Sequence, residues 1–185
     1  MARSPSLFVI LSTAGLSLAL ASCGAKAPPG APPPPVPYAE ALLYDSTGRP
    51  AGVVTLAPVN GALQANVQVT GGITPGPHGI HIHAVGECKR PDFVTAGAHH
   101  NPTGKQHGSE NPMGPHQGDL PILTADSNGR ATASFPTQTT LDAIFDADGS
   151  SFIVHADADD MKTDPTGNSG ARVLCGVFYR KLRPI

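Results

Sequence analysis

The stretch Ala62-Leu-Gln-Ala-Asn-Val-Gln-Val-Thr70 alternates without a break, with Leu63, Ala65, Val67 and Val69 on one side and Gln64, Asn66, Gln68 and Thr70 on the other. A period of two marks a strand with one buried and one wet face, and a helix cannot produce it. Just before it, Asn60-Gly61 accepts the positive φ that a tight hairpin demands, and 51–58 is a second β-branched run. Similar runs recur outward at 39–45, 78–85, 120–125, 130–136, 151–156 and 172–180, so eight strands are predicted, with Asn128-Gly129 as a second hairpin signal. The 21 Gly and 20 Pro, against 5% aromatics and no Trp, suit turns and loops rather than long helices. The fold class is therefore all-β.

The first 22 residues read as a signal peptide: Arg3 gives a positive start, and Leu7 to Leu20 is an uncharged, largely apolar run, short for a membrane span. It ends in Leu20-Ala-Ser-Cys23, which looks like a bacterial lipobox with Cys23 as the lipidated residue. Residues 23–37 then form a proline-rich spacer that favours extended polyproline conformation, leaving 38–185 as one folded domain. With Cys23 set aside, Cys88 and Cys175 remain, and in an exported chain a disulfide is the simplest reading. The expected location is a bacterial cell envelope, at the periplasmic or extracellular face of the membrane that holds the anchor. A formal net charge of −2 argues against nucleic acid as a partner and offers no basic surface for anionic lipid.

Two stretches fit no strand, 86–119 and 157–171, and loops of that length in a compact domain are usually functional or disordered. All eight histidines lie between positions 78 and 155. His81 and His83 stand two apart on a predicted strand, so both imidazoles project from one face. His99, His107, His116 and Asp119 place three imidazoles and a carboxylate in a Gly/Pro-rich loop, a donor set that suits a closed zinc site.

With those residues in view, the chain resembles the copper/zinc superoxide dismutase family from about residue 38 to its C-terminus. The segments that carry the resemblance are His78-Gly-Ile-His-Ile-His83, Ala96-Gly-Ala-His-His-Asn-Pro102, Lys105-Gln-His-Gly108, Gly114-Pro-His-Gln-Gly-Asp-Leu-Pro121, Val154-His155 and Gly170-Ala-Arg-Val-Leu-Cys-Gly176. The loop Asn101-Pro-Thr-Gly-Lys-Gln-His-Gly108 resembles the exported bacterial branch. The resemblance implies an eight-stranded antiparallel Greek-key β-sandwich, a flattened barrel with two long functional loops.

It also implies a site. His81, His83, His99 and His155 would hold copper; His99, His107, His116 and Asp119 would hold zinc, with His99 bridging the two. Asp159 would link His81 to His107, Arg172 would attract the superoxide anion beside the copper, and Cys88 would pair with Cys175. His78 would bond within the fold, and His100 stands where the family usually has an aromatic. The reaction implied is disproportionation of superoxide to oxygen and hydrogen peroxide, and the family also allows a homodimer. The alternative is a non-catalytic copper-binding or copper-delivery lipoprotein on the same sandwich. A zinc hydrolase would need an open zinc position that this donor set does not leave.

Overall fold

The computed structural model describes residues 34–183, and the predicted leader and Cys23 lie outside them. Among the described residues there are nine strands: β1 (Val36–Asp45), β2 (Pro50–Val59), β3 (Ala62–Val69), β4 (Gly76–His78), β5 (Ile80–His83), β6 (Leu123–Ala125), β7 (Ala131–Pro136), β8 (Ser151–His155) and β9 (Arg172–Arg183). Seven form one curled antiparallel sheet in the order β5-β8-β9-β1-β2-β3-β7, and β4 pairs with β6. Among the described residues the only α-helix is the single turn α1 (Leu141–Ile144), capped where the Thr140 side chain accepts from Ala143 N–H.

The alternation in β3 has the predicted outcome: Ala65, Val67 and Val69 are buried and Asn66 and Gln68 are exposed. Asn60 and Gly61 turn the β2–β3 hairpin at φ of 50° and 83°. Inward residues from all the sheet's central strands, Leu43, Leu56, Ile82, Phe152 and Leu174 among them, are fully buried in one core. Each such side chain contributes about 1.5–3 kcal/mol relative to exposure.

Three expectations change. The predicted strand 78–85 is broken at Gly79, so that β4 leaves with β6 while β5 joins β8. Gly79 donates to Asp157 O and accepts from His155 N–H, and a Cβ there would lie 2.4 Å from Ser169 Oγ, so the break needs glycine and is set by distant chain. Asn128-Gly129 turns the chain, yet β6 and β7 are not ladder partners. The Asp126 carboxylate accepts from Asn128 and Arg130 N–H and closes the turn, after which the strands diverge to β4 and β3. Finally, β1 starts at Val36, inside the predicted spacer, because Val36 and Pro37 lie opposite Arg183 and Leu182 of a long β9.

Candidate metal centre

β5 and β8 are neighbours, so His81 and His83 meet His155 across one sheet, and an isolated bridge brings His99 of the first long loop opposite His83. All four rings are buried. Each has one ring nitrogen engaged. His81 Nε2 donates to Asp159 Oδ2 at 2.5 Å, His83 Nδ1 to Gly97 O at 2.9 Å and His155 Nδ1 to Gly170 O at 3.2 Å, while His99 Nδ1 faces Asp119 Oδ1 at 2.9 Å. The other nitrogens, His81 Nδ1, His83 Nε2, His99 Nε2 and His155 Nε2, are buried without a hydrogen-bond partner. These four donor atoms lie within 4.8 Å of one another.

Buried polar atoms are seldom left unpaired, because each one costs its desolvation. Four lone pairs pointed at one place, each on a ring whose other nitrogen is fixed, fit a metal with nitrogen ligands. Tetragonal nitrogen coordination suits Cu(II).

Beside it, His99 Nδ1, His107 Nδ1 and His116 Nδ1 approach Asp119 Oδ1 at 2.9, 3.1 and 3.3 Å. Tetrahedral ligands about 2.0–2.1 Å from zinc stand about 3.3 Å apart, and these three spacings are close to such edges. Here the four residues whose ligand atoms lie within 4.8 Å of one another are His81, His99, His107 and Asp119, with His116 reaching the group only through Asp119. The other oxygen of Asp119 accepts from Gly108 and His116 N–H, which fixes the carboxylate on the loop it organises. Asp159 receives His81 Nε2 on one oxygen and His107 Nε2 on the other, at 2.5 and 3.0 Å, joining the two clusters behind the rings.

Electrostatics separate the clusters. Burial, reinforced by neighbouring imidazoles, lowers His81 to about 3 and His155 to about 4, and holds His83 well below its usual value, so these rings stay neutral and keep their lone pairs. Burial also acts on His107, but the Asp119 and Asp159 carboxylates outweigh it and raise this ring to about 9. Burial would raise those two carboxyls; their histidine donors prevail and hold both well below the usual carboxylate range.

Arg172, the first residue of β9, lines a cavity of about 480 Å³ together with His83, His99, His155, Thr166 and Asn168. Its Nη1 donates to Phe93 O and its Nη2 to Gly97 O, each at 2.7 Å. Sequence reasoning missed Gly97: one carbonyl takes both Arg172 and the copper-side His83, and the only visible signal was a glycine, here at φ 75° with Val85 Cγ2 2.9 Å from where a Cβ would stand. Asp164 was missed as well; it accepts from His107 N–H at 2.6 Å and so ties the second long loop to the first. The Cys88–Cys175 disulfide is formed and fastens the segment that carries Phe93 and Gly97 to β9. His78 lies between His155 O and Thr74 O, both 2.7 Å away, in keeping with a role inside the fold. His100 is buried and hydrogen-bonded to Thr139 Oγ1, which gives a ring in an aromatic's place the partner it needs.

A family model described as copper/zinc superoxide dismutase matches residues 50–178. The Cu-Zn superoxide dismutase of Caulobacter vibrioides is 40% identical over 76% of this chain and 84% of its own length. The superoxide dismutase-like protein YojM of Bacillus subtilis is 37% identical over 88% and 91%. The solved Cu/Zn superoxide dismutase of Brucella abortus superposes with a TM-score of 0.63, at 29% identity over 76% of this chain and 98% of that one.

Proposed function

This chain belongs to the copper/zinc superoxide dismutase family, and from that premise we propose that it disproportionates superoxide with His81, His83, His99 and His155 holding copper and His99, His107, His116 and Asp119 holding zinc. The observation that carries the proposal is the set of four buried, unpartnered ring nitrogens converging at the cavity where Arg172 stands. Bound copper supplies the one-electron exchange by which one superoxide leaves as oxygen and a second, taking two protons, leaves as hydrogen peroxide.

The residues do the rest. Asp159, Gly97 O and Gly170 O each take the N–H of one copper-side ring, which fixes its tautomer and aims its lone pair. His99 turns Nδ1 to the zinc cluster and Nε2 to the copper cluster, so a single ring serves both, and Nε2 can hold a proton beside the cavity when it is not a ligand. The Arg172 guanidinium, pinned by two carbonyls, keeps its charge and its remaining N–H groups at the same cavity, where they attract and orient a small anion. Asp119 and the zinc-side imidazoles order a loop that contributes little to the core.

We further propose that the chain is exported and held at a bacterial envelope membrane through lipid on Cys23, as Leu20-Ala-Ser-Cys23 and the spacer after it suggest. The experiment for function is reconstitution of the mature chain with copper and zinc, or with zinc alone, scored by metal content and by superoxide removal. Turnover that requires copper supports the enzyme; full copper occupancy with no turnover supports the copper-delivery alternative.

A further inference from the structure

Averaged over the chain, acidic residues outnumber basic ones, 14 to 12. The fold distributes them unevenly, so the expectation from net charge that no basic surface is offered to anionic lipid does not hold locally at the end of β9. At the exposed end of β9, Tyr179, Lys181 and Arg183 project from one face of the strand and Arg180 and Leu182 from the other, with Tyr179 and Leu182 each 64% exposed. This is where the anchored end of the chain enters the domain: Val36 lies opposite Arg183, Pro37 opposite Leu182 and Tyr38 opposite Lys181. The nearby acids are Glu40, 3.7 Å from Lys181, and Asp142, 3.7 Å from Arg180. Contacts that long between exposed groups contribute little, so Lys181 and Arg183 can turn to another partner, whereas Arg180 also lies over the Phe145 ring, 4.5 Å from its centroid.

The other end of β9 is the copper side. Arg172 begins the strand opposite His155, and at about 3.3 Å per residue the strand carries the chain about 36 Å from Arg172 to Arg183. The loop beside that end presents Asp157, Asp160 and Asp164 against Lys162, Asp159 being buried between His81 and His107. An anionic surface therefore attracts one end of β9 and repels the other.

We infer that the exposed end of β9, with Tyr179, Lys181 and Arg183 on one face and Arg180 and Leu182 on the other, docks end-on against anionic phospholipid headgroups and so holds the copper cavity away from the membrane. The inference rests on the reading that Cys23 carries the anchor. The roughly 12 residues between Cys23 and Val36, at no more than about 3.6 Å each, could keep the domain close to a bilayer but could not orient it; the cations and the amphipathic Tyr179 supply the orientation. Each cation at such a surface contributes about fivefold in population.

The orientation matters for an anionic substrate. A surface potential near −30 mV depletes a monovalent anion about threefold at the headgroups. The depletion fades over a screening length of about 8 Å, so a cavity about 36 Å along β9 escapes it.

The test uses the metal-loaded mature chain with a synthetic maleimide lipid on Cys23, which supplies the tether whether or not the cell does. It is bound to vesicles of phosphatidylglycerol or of phosphatidylcholine, and lysine acetylation is read residue by residue by mass spectrometry. Lys181 should be labelled at least fivefold less on phosphatidylglycerol than on phosphatidylcholine, with Lys162 and Lys105 unchanged. Arg180→Gln with Arg183→Gln should abolish the difference, and 0.5 M salt should reduce it. Equal labelling of Lys181 on both lipids, protection of Lys162, or Lys181 protection that depends on protein concentration without vesicles would overturn the inference. The anchor reading is tested separately, by the mass of Cys23 in chain isolated from cells; its failure would leave the vesicle result standing.

Discussion

β1, β2 and β3 and the two metal loops are held by different forces. The three strands are joined by continuous ladders and bury Ala41, Leu43, Val54, Leu56, Ala65 and Val67 almost completely. The loops have almost no ladder. Residues 99–119 and 157–170 are fastened by carboxylates: Asp119 to two imidazoles and two backbone N–H groups, Asp159 to two imidazoles and Met161 N–H, Asp160 to Lys162 and Thr163 N–H, and Asp164 to His107 N–H. An apolar frame tolerates changes of pH and metal; a loop built on charges and imidazoles depends on both. Stability and chemistry are therefore carried by separate parts of one small domain.

The largest break in this division should come from the disulfide, which fastens the loop segment 88–97 to β9. Closing a loop of 87 residues lowers the entropy of the unfolded chain by an amount worth about 4–5 kcal/mol. Reduction should lower the melting temperature of the whole domain, loosen Phe93 and Gly97, and make zinc easier to remove with a chelator. Calorimetry of oxidised and reduced protein with zinc release in parallel checks this; equal melting temperatures would contradict it.

Asp119→Ala should act on the loop and spare the frame. It strips two imidazoles and two N–H groups of their acceptor, and removing one partner from such a buried cluster costs about 3–5 kcal/mol. Hydrogen exchange should accelerate across 100–118 with zinc content falling, while β1–β3 keep their protection. Uniform acceleration would mean that loop and frame are one cooperative unit.

Arg172→Glu sharpens the comparison from the chemical side, because it changes no proposed ligand. Turnover should fall by about tenfold or more, roughly 1.4 kcal/mol or above in the barrier, with copper and zinc contents normal. Added salt should slow the parent by screening attraction and relieve repulsion in the variant. An unchanged rate at low ionic strength would remove Arg172 from the account.

The smallest effect is that of pH on metal-free protein. The copper-side imidazoles, buried and neutral, have values below 6.5 in the fold, with His81 near 3 and His155 near 4. As pH falls from 6.5 toward 4 the unfolded chain gains protons that the fold refuses, so stability declines. His107, raised to about 9, contributes fully below 6.5, and its contribution is lost as pH rises from 6.5 to 9. Metal-free stability should therefore peak near pH 6.5 and fall more steeply on the acid side, which thermal melts across pH 4–9 would reveal. A flat profile would mean that the imidazoles are not buried as described.

The frame was legible because its causes are local. The alternation of 62–70 and Asn60-Gly61 specify a strand and a turn with little help from elsewhere. The break at Gly79 was illegible because Ser169, Asp157 and His155 impose it from distant sequence. The donors of the site could be read as residue types and spacings, and the family resemblance supplied their grouping. Their convergence on Asp119 Oδ1 could not be read, nor could the double use of Gly97 O, since a backbone carbonyl leaves no mark on composition or pattern.

One set of buried imidazoles is proposed to make two metal sites that share His99. His155 is proposed for the copper set alone, through Nε2, and among the proposed zinc ligands it neighbours only the shared His99. In purified His155→Ala, copper content and superoxide removal should both collapse while zinc stays near one per chain. Normal copper occupancy with normal turnover in that variant would contradict the account.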